Sequence, residues 1–168
     1  MKEIEEVIKN HPKDRRINNF VLYGNHDYYS FTTDKINVGK EIENERYDIV
    51  FLGYGRSFFK IGKDYISLEH NIPNNTRPYL KDFSNIVFKG HSHRYKLNID
   101  TKKTVFVPSL SDSFPTNYGI KPLKGFLDVT FFLNNNGLIK EMKIKQISIT
   151  SSIDLVSEAD VVINRKRK

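Results

Sequence analysis

Histidine, asparagine and aspartate gather in three short stretches of this chain. Gly24-Asn25-His26-Asp27 follows the apolar run NNFVLY, His70 closes DYISLEH, and His91 and His93 flank Ser92 just after NIVFKG. An amide oxygen, imidazole nitrogens and a carboxylate form a donor set suited to borderline divalent ions such as Mn, Fe, Ni or Zn. The same imidazoles suit acid–base chemistry, because they titrate near neutral pH. Taken singly, each stretch has a plain structural use: Asn and Asp tolerate the left-handed backbone of turns, and a lone histidine is commonly a hydrogen-bonded surface group. Their common setting distinguishes them, since each closes an apolar run and three strand ends could present them at one sheet edge, where open sheets build sites. If residues 91 to 93 are extended, both rings point to one side, whereas a turn after Gly90 would send them to different metals. Gly90 itself would allow close backbone approach.

The elements that would position these residues are short. Ile4, Val7 and Ile8 recur at helical spacing in KEIEEVIKN, and His11-Pro12 ends the pattern, so residues 2 to 10 are expected to form an amphipathic helix. NNFVLY reads as a buried strand. From Ser30 to Arg46 the chain is polar and reads as a long excursion with about one helical turn, a length at which loops tend to carry function. Strand patterns follow in YDIVFLG, SFFKIG, DYISLEH, NIVFKG, KLNID, TVFVPS and GFLDVTFFL, most of them bounded by Gly, Asn, Asp or Pro. NNNG at 134 to 137 predicts a hairpin into LIKEMKIKQISI, with positive φ at Asn136 or Gly137. In that second arm the apolar phase changes between Ile144 and Ile147, which predicts a β-bulge near Gln146. Beyond Ser151 the pattern weakens to a short helix within IDLVSEADVVI and a basic tail. Residues 1 to 150 are expected to form one domain, and 151 to 168 a C-terminal extension.

With 38% hydrophobic residues over 168 positions, the chain has apolar material for one core, and twelve Phe and nine Tyr without Trp favour sheet. There is no cysteine, which excludes disulfides and thiolate metal sites and fits a cytoplasmic location. No apolar run nears the roughly 20 residues of a membrane span, and MKEIEEVIKN is too charged for a signal peptide. A net charge of +7 suggests nucleic acid until it is located: Arg165, Lys166, Arg167 and Lys168 supply +4, leaving +3 for the rest. A basic nucleic-acid-binding protein with incidental histidines is thus a competing reading. It is weakened because the basic and base-stacking residues are not concentrated in one patch.

In their order, GNHD at 24 to 27, the lone His70 in LEHNIP and GHSH at 90 to 93 resemble the last three signature blocks of calcineurin-like metallophosphoesterases. The resemblance spans residues 24 to 93. It implies an α/β fold, mainly β in this chain: a sandwich of two mixed sheets flanked by helices, with two divalent metal ions at the sheet edge, manganese favoured. It also implies hydrolysis of a phosphomonoester or phosphodiester. Asn25, His70 and His91 would bind one metal and His93 the other. His26 would stand beside the scissile phosphate as general acid or electrostatic stabiliser, with Asp27 orienting its imidazole.

The family's first two blocks, Asp-x-His and Gly-Asp, are absent: no Asp is followed two positions later by His, and no Gly directly by Asp. Those blocks would complete the His93 metal and supply the carboxylate that bridges both ions. The chain therefore looks like such an enzyme without its N-terminal strands, its partners being a phosphoester substrate and, where the missing segment does not come in cis, a second chain that brings it. Nucleic acid is among the substrates such a site could take, and no membrane partner is expected. A non-catalytic remnant that binds a metal or a partner is the alternative. Arg94 could approach a phosphate, Tyr28 and Tyr29 could stack on a base, and selectivity is expected in Ser30–Arg46 and in VPSLSDSFPTNYG.

Overall fold

A computed structural model describes residues 2–71, 84–99, 102–110, 124–149 and 153–163. The basic run at 165–168 and most of VPSLSDSFPTNYG lie outside the described residues. The chain divides into two compact units, Met1–Ser57 with Glu69–Leu80, and Phe58–Leu68 with Lys81–Lys168. Strands outnumber helices among the described residues, so the fold is α/β and mainly β. Among the same residues, no helix is long and apolar enough to cross a membrane.

The first unit holds α1 (Lys2–Asn10), β1 (Asn19–Tyr23), α2 (Asn25–Asp34), α3 (Val38–Glu45) and β2 (Ile49–Tyr54). Strands β1 and β2 pair in parallel, Val21 facing Phe51 and Phe20 facing Val50. Side chains alternate between the faces of a strand. Val21, Tyr23, Ile49 and Phe51 accordingly line one small cavity together with Val7, Gly39 and Ile42 from the helices. On the other face Phe20 and Val50 remain 47% and 40% exposed. Among the described residues β1 pairs with β2 alone, and NNFVLY is less buried than its apolar run predicts, Tyr23 being its one buried residue.

Arg46 fastens this unit. Its Nε and Nη2 donate to the two carboxylate oxygens of Asp48, each at 2.7 Å, Nη1 donates to the carbonyls of Ile8 and His11 at 2.8 and 3.0 Å, and Nη2 to that of Pro12 at 3.2 Å. All five guanidinium donors are thereby used. Asp48 in turn accepts from Asn19 Nδ2 at 3.2 Å, so one buried pair joins the end of α1 to the starts of β1 and β2.

The polar stretch from Ser30 to Arg46 is more ordered than its composition implies: it holds the rest of α2 and all of α3. Helix α2 closes at Lys35, whose φ is 62°, and α3 starts at Asn37, whose side chain accepts from the Lys40 N–H at 3.2 Å. The contact that secures α3 is invisible as a hydrophobic pattern. Gly39 lies flat on the Phe51 ring, so that a Cβ there would come within 2.5 Å of Phe51 Cδ2.

The second unit is a sandwich. One sheet runs β3 (Arg56–Ile61), β4 (Asp64–Glu69), β5 (Ile86–Lys89), β7 (Lys103–Phe106), β6 (Lys96–Asn98), and the other runs β10 (Ile153–Val162), β9 (Ile139–Ile149), β8 (Gly125–Leu133). The first is mixed, β5 and β7 being parallel and β6 and β7 antiparallel. The second is antiparallel throughout, as short connections between successive strands require. Ile66, Ile86 and Val105 from one sheet meet Ile139, Met142, Ile144 and Val161 from the other in the core. The β8–β9 turn takes its positive φ at Gly137, 75°, and Asn134 Oδ1 accepts from the N–H groups of Asn136 and Leu138.

Two expectations are corrected here. Residues 153 to 162 are strand, not helix, and they pair along β9 almost from end to end. The β-bulge falls on β10, between Leu155 and Ser157, opposite Ile147 and Gln146, rather than on β9. In β9 the inward alternation continues unbroken through Ile144, Gln146 and Ser148. Polar side chains take inward positions there, and Gln146 Oε1 accepts from Ser157 Oγ at 3.2 Å. The extra residue on β10 resets its phase, so Leu155 faces outward and Val161 inward, and its apolar positions imitate a helical spacing.

The Arg46–Asp48 pair yields a stability test. Arg46 holds the Asp48 carboxyl at about 2, below its ordinary 3.8. A depressed carboxylate contributes stability above its ordinary value and loses it as pH falls toward the depressed one. Wild-type stability should therefore fall more steeply between about pH 4 and 2 than that of Arg46→Met. At neutral pH Arg46→Met should lower the melting temperature by more than Lys40→Met, which breaks only the exposed Lys40–Glu43 pair. Equal melting temperatures for the two variants would remove the anchoring role from Arg46.

Candidate metal centre

Two hydrogen bonds through Gly55 position the first group of candidate residues. The Gly55 N–H donates to the carbonyl of Tyr23 at 3.0 Å, and its carbonyl accepts the His70 N–H at 2.7 Å. Gly55 has φ 72°, a conformation open mainly to glycine. The end of β1 and His70, both in the first unit, are thus joined through one residue, and His70 comes to rest against Gly24. A Cβ on Gly24 would lie 2.5 Å from His70 Cε1 and 2.7 Å from both ring nitrogens. With φ at −94°, Gly24 is required here for its small size rather than for its backbone freedom.

His70 Nδ1 stands 3.2 Å from the carbonyl oxygen of Asn71. A carbonyl can only accept, so this contact is a hydrogen bond in the tautomer that carries its proton on Nδ1. Beside Gly24, Asn25 opens α2. Its Oδ1 is buried and has no hydrogen-bond partner among the described residues. The hydroxyl of Tyr23 is in the same condition, and burial, followed by the nearby Asp27 carboxylate, pushes its pKa well up.

His26 is exposed on the first turn of α2. Asp27 does not turn toward it: Asp27 Oδ2 accepts the Gly24 N–H at 3.0 Å, closing the helix N-terminus from its third position. Consecutive residues on a helix point about 100° apart, so Asp27 orients the Gly24–Asn25 turn rather than the imidazole. Its negative charge also complements the positive end of the helix.

His91 and His93 belong to the second unit and follow β5. Their φ angles are 76° and 54°, so the segment is not extended and strand alternation does not place both rings on one side. Two successive histidines separated by one residue in the left-handed region are uncommon, and such strain collects at functional sites. His91 and the neighbouring Arg94 are exposed, and His93 is half-buried. Among the described residues no three His, Asp or Glu side chains stand together in a way that could hold a metal ion. The neutral donors suit one nonetheless: the buried Asn25 amide oxygen accepts no hydrogen bond among the described residues, and Gly24, next to it in the chain, lies against the His70 ring.

Gly55 carries no mark in the apolar pattern of the chain. Its signal was the glycine pair in Gly53-Tyr54-Gly55, which sits between two apolar runs where an uninterrupted strand would not need it. The Arg56–Glu69 ion pair, which flanks the Gly55–His70 link, is likewise unmarked in the sequence.

No protein-family model and no curated protein matches the chain. Among solved structures it is similar to Vps29 from Entamoeba histolytica in complex with Zn²⁺, at 14% identity over 95% of this chain and 88% of that one, with a TM-score of 0.48. It is also similar to an archaeal phosphodiesterase at 12% identity over 97% of this chain and 76% of that one, with a TM-score of 0.46. Likenesses at this level assign neither a residue nor an activity, and function must be argued from the side chains themselves.

Gly24→Ala isolates the contact with His70. The clash is with a side chain rather than backbone, so the variant should fold while the imidazole is pushed aside. Calorimetric titration with Mn²⁺ should then show affinity reduced by about 10- to 100-fold, the usual cost of disturbing a ligand's support. Unchanged affinity would mean that the Gly24–His70 packing plays no part in metal binding.

Proposed function

We propose that this chain supplies the neutral ligands of a metal-dependent phosphoesterase that hydrolyses a phosphomonoester or phosphodiester at a dinuclear centre. The observation that carries the reading is the Asn25 amide: a buried oxygen that accepts no hydrogen bond among the described residues and follows directly on Gly24, which lies against the His70 ring. Leaving such an acceptor unsatisfied costs about 1–3 kcal/mol, and a cation removes that cost while also taking the imidazole nitrogen. In this reading Asn25, His70 and His91 hold one divalent ion and His93 the other. Manganese is favoured, with Fe, Ni and Zn also suited to amide and imidazole donors. When bound, such ions supply Lewis-acid charge and an activated water.

The chain's own residues supply the remaining chemistry. His26 acts as general acid toward the leaving oxygen, since an imidazole holds and releases a proton near neutral pH. Asp27 fixes the turn that carries His26 by closing on the Gly24 N–H. First-turn N–H groups of a helix lack intrahelical partners, and those of α2 favour a phosphoryl group's negative charge. Asn and His are neutral and leave the ions' charge uncompensated, so carboxylates of the Asp-x-His and Gly-Asp kind come from a further segment, in cis or on a second chain. The fold and the lack of cysteine suit a cytoplasmic enzyme. A second reading, a non-catalytic metal- or partner-binding protein, is favoured by one observation, the absence of a three-carboxylate or histidine cluster among the described residues.

Metal binding tests the ligand assignment directly. Wild type should take up Mn²⁺ or Co²⁺, and the double variant His70→Ala, His91→Ala should lose that uptake, as read by calorimetry or Co²⁺ absorption. Equal uptake by both proteins would overturn the assignment.

Catalysis is tested on a completed form, in which a segment bearing Asp-x-His and Gly-Asp is fused or co-expressed. That form should hydrolyse a chromogenic phosphodiester with Mn²⁺ and be more soluble than the chain alone. His26→Ala should lower its turnover by about 10²- to 10⁴-fold with metal content unchanged. A completed form that binds metal but hydrolyses nothing would leave the non-catalytic reading in place.

A further inference from the structure

Helix α2 gives its two adjacent tyrosines different surroundings. At about 100° per residue, Tyr28 and Phe31 fall together on the face that packs on Tyr54, with ring centroids 5.7 and 5.4 Å from it. Tyr29 points about 100° away from Tyr28, and it is the i+4 neighbour of Asn25 and the i+3 neighbour of His26. The adjacent tyrosines are thus separated in kind. Tyr28 belongs to the aromatic cluster formed with Tyr54, Tyr23 and Phe51, whereas Tyr29 is 52% exposed. Among the described residues the Tyr29 ring has neither an aromatic nor a hydrogen-bond partner.

Long side chains on a helix lean toward its N-terminus, so the surface that Tyr29 covers lies over the turn carrying Asn25 and His26. Packing does not need Tyr29 there, because the cluster on Tyr54 is complete without it. An open aromatic face one helical turn from a phosphate position suits a ligand that has its own flat π-face, with the sugar of a nucleotide spanning the interval.

We propose that Tyr29 is the base-stacking residue of this site and that its substrates are nucleotide phosphoesters, the base lying on Tyr29 and the phosphate against Asn25 and His26. The proposal rests on the phosphoesterase reading above. It assigns the substrate class through the group on the far side of the phosphate, which the metal ligands do not touch.

The test compares two ligands that differ only in the base. In the presence of Mn²⁺, adenosine 5′-monophosphate and ribose 5-phosphate are titrated separately into the full chain. The nucleotide should bind about 5- to 150-fold more tightly, the range that one base–aromatic stack supports. Tyr29→Ala should bring that ratio close to one, and Tyr29→Phe should keep it. In nuclear magnetic resonance spectra the Tyr29 ring protons should shift upfield on adding the nucleotide and not on adding the sugar phosphate. A ratio near one in the wild type, or a ratio unchanged in Tyr29→Ala, overturns the stacking assignment while leaving a phosphate site in place. Failure of the wild type to bind either ligand overturns the phosphoesterase reading, and the stacking assignment with it.

Discussion

Gly55 donates its N–H to Tyr23 and accepts the N–H of His70 with its backbone at φ 72°, and the first group of site residues depends on that double link. A side chain at this position would force the backbone toward ordinary φ values and break one bond or the other. The end of β1 and His70 would then be free to part, and the His70 ring would leave the surface of Gly24. Two glycines therefore act in sequence. One makes the crossing of two chain segments possible, and the other leaves room for the imidazole that the crossing delivers.

The position of β1 is fixed from its opposite end by Arg46. A buried guanidinium is costly unless every donor is used, and here two carboxylate oxygens and three carbonyls use them all. The three carbonyls come from the close of α1 and the residues after it, groups that a helix end leaves unsatisfied. One side chain thus caps a helix and fixes the spacing of two parallel strands. Removing it would leave Asp48 buried beside Asn19 with its charge uncompensated, a harsher loss than any surface pair could cause.

Much of the second unit can be read in the chain itself, because its strands are bounded by turn residues and its hairpin by NNNG, where Gly137 takes the left-handed conformation. The candidate ligands were legible for a related reason: each follows an apolar run. The features that escaped leave no periodic trace. Helix α3 is held by Gly39 against a ring, a contact without a side chain to count. Strand β10 changes phase at its bulge, so its outward Leu155 and inward Val161 do not alternate on paper. Asp27 is as consistent with a partner imidazole as with its own helix terminus, and only the backbone geometry selects the second.

Helix α2 carries Asn25, His26 and Asp27, yet none of its residues is buried. Its attachments are the capping carboxylate and two rings resting on Tyr54. Segments with so little buried surface open locally at a small fraction of the global unfolding free energy. The amide hydrogens of α2 would therefore exchange with solvent ahead of those in β9, whose inward side chains form the sandwich core. Any ligand gripping Asn25 must first select the closed form of this helix, and binding would register as slowed deuterium exchange across its ten residues.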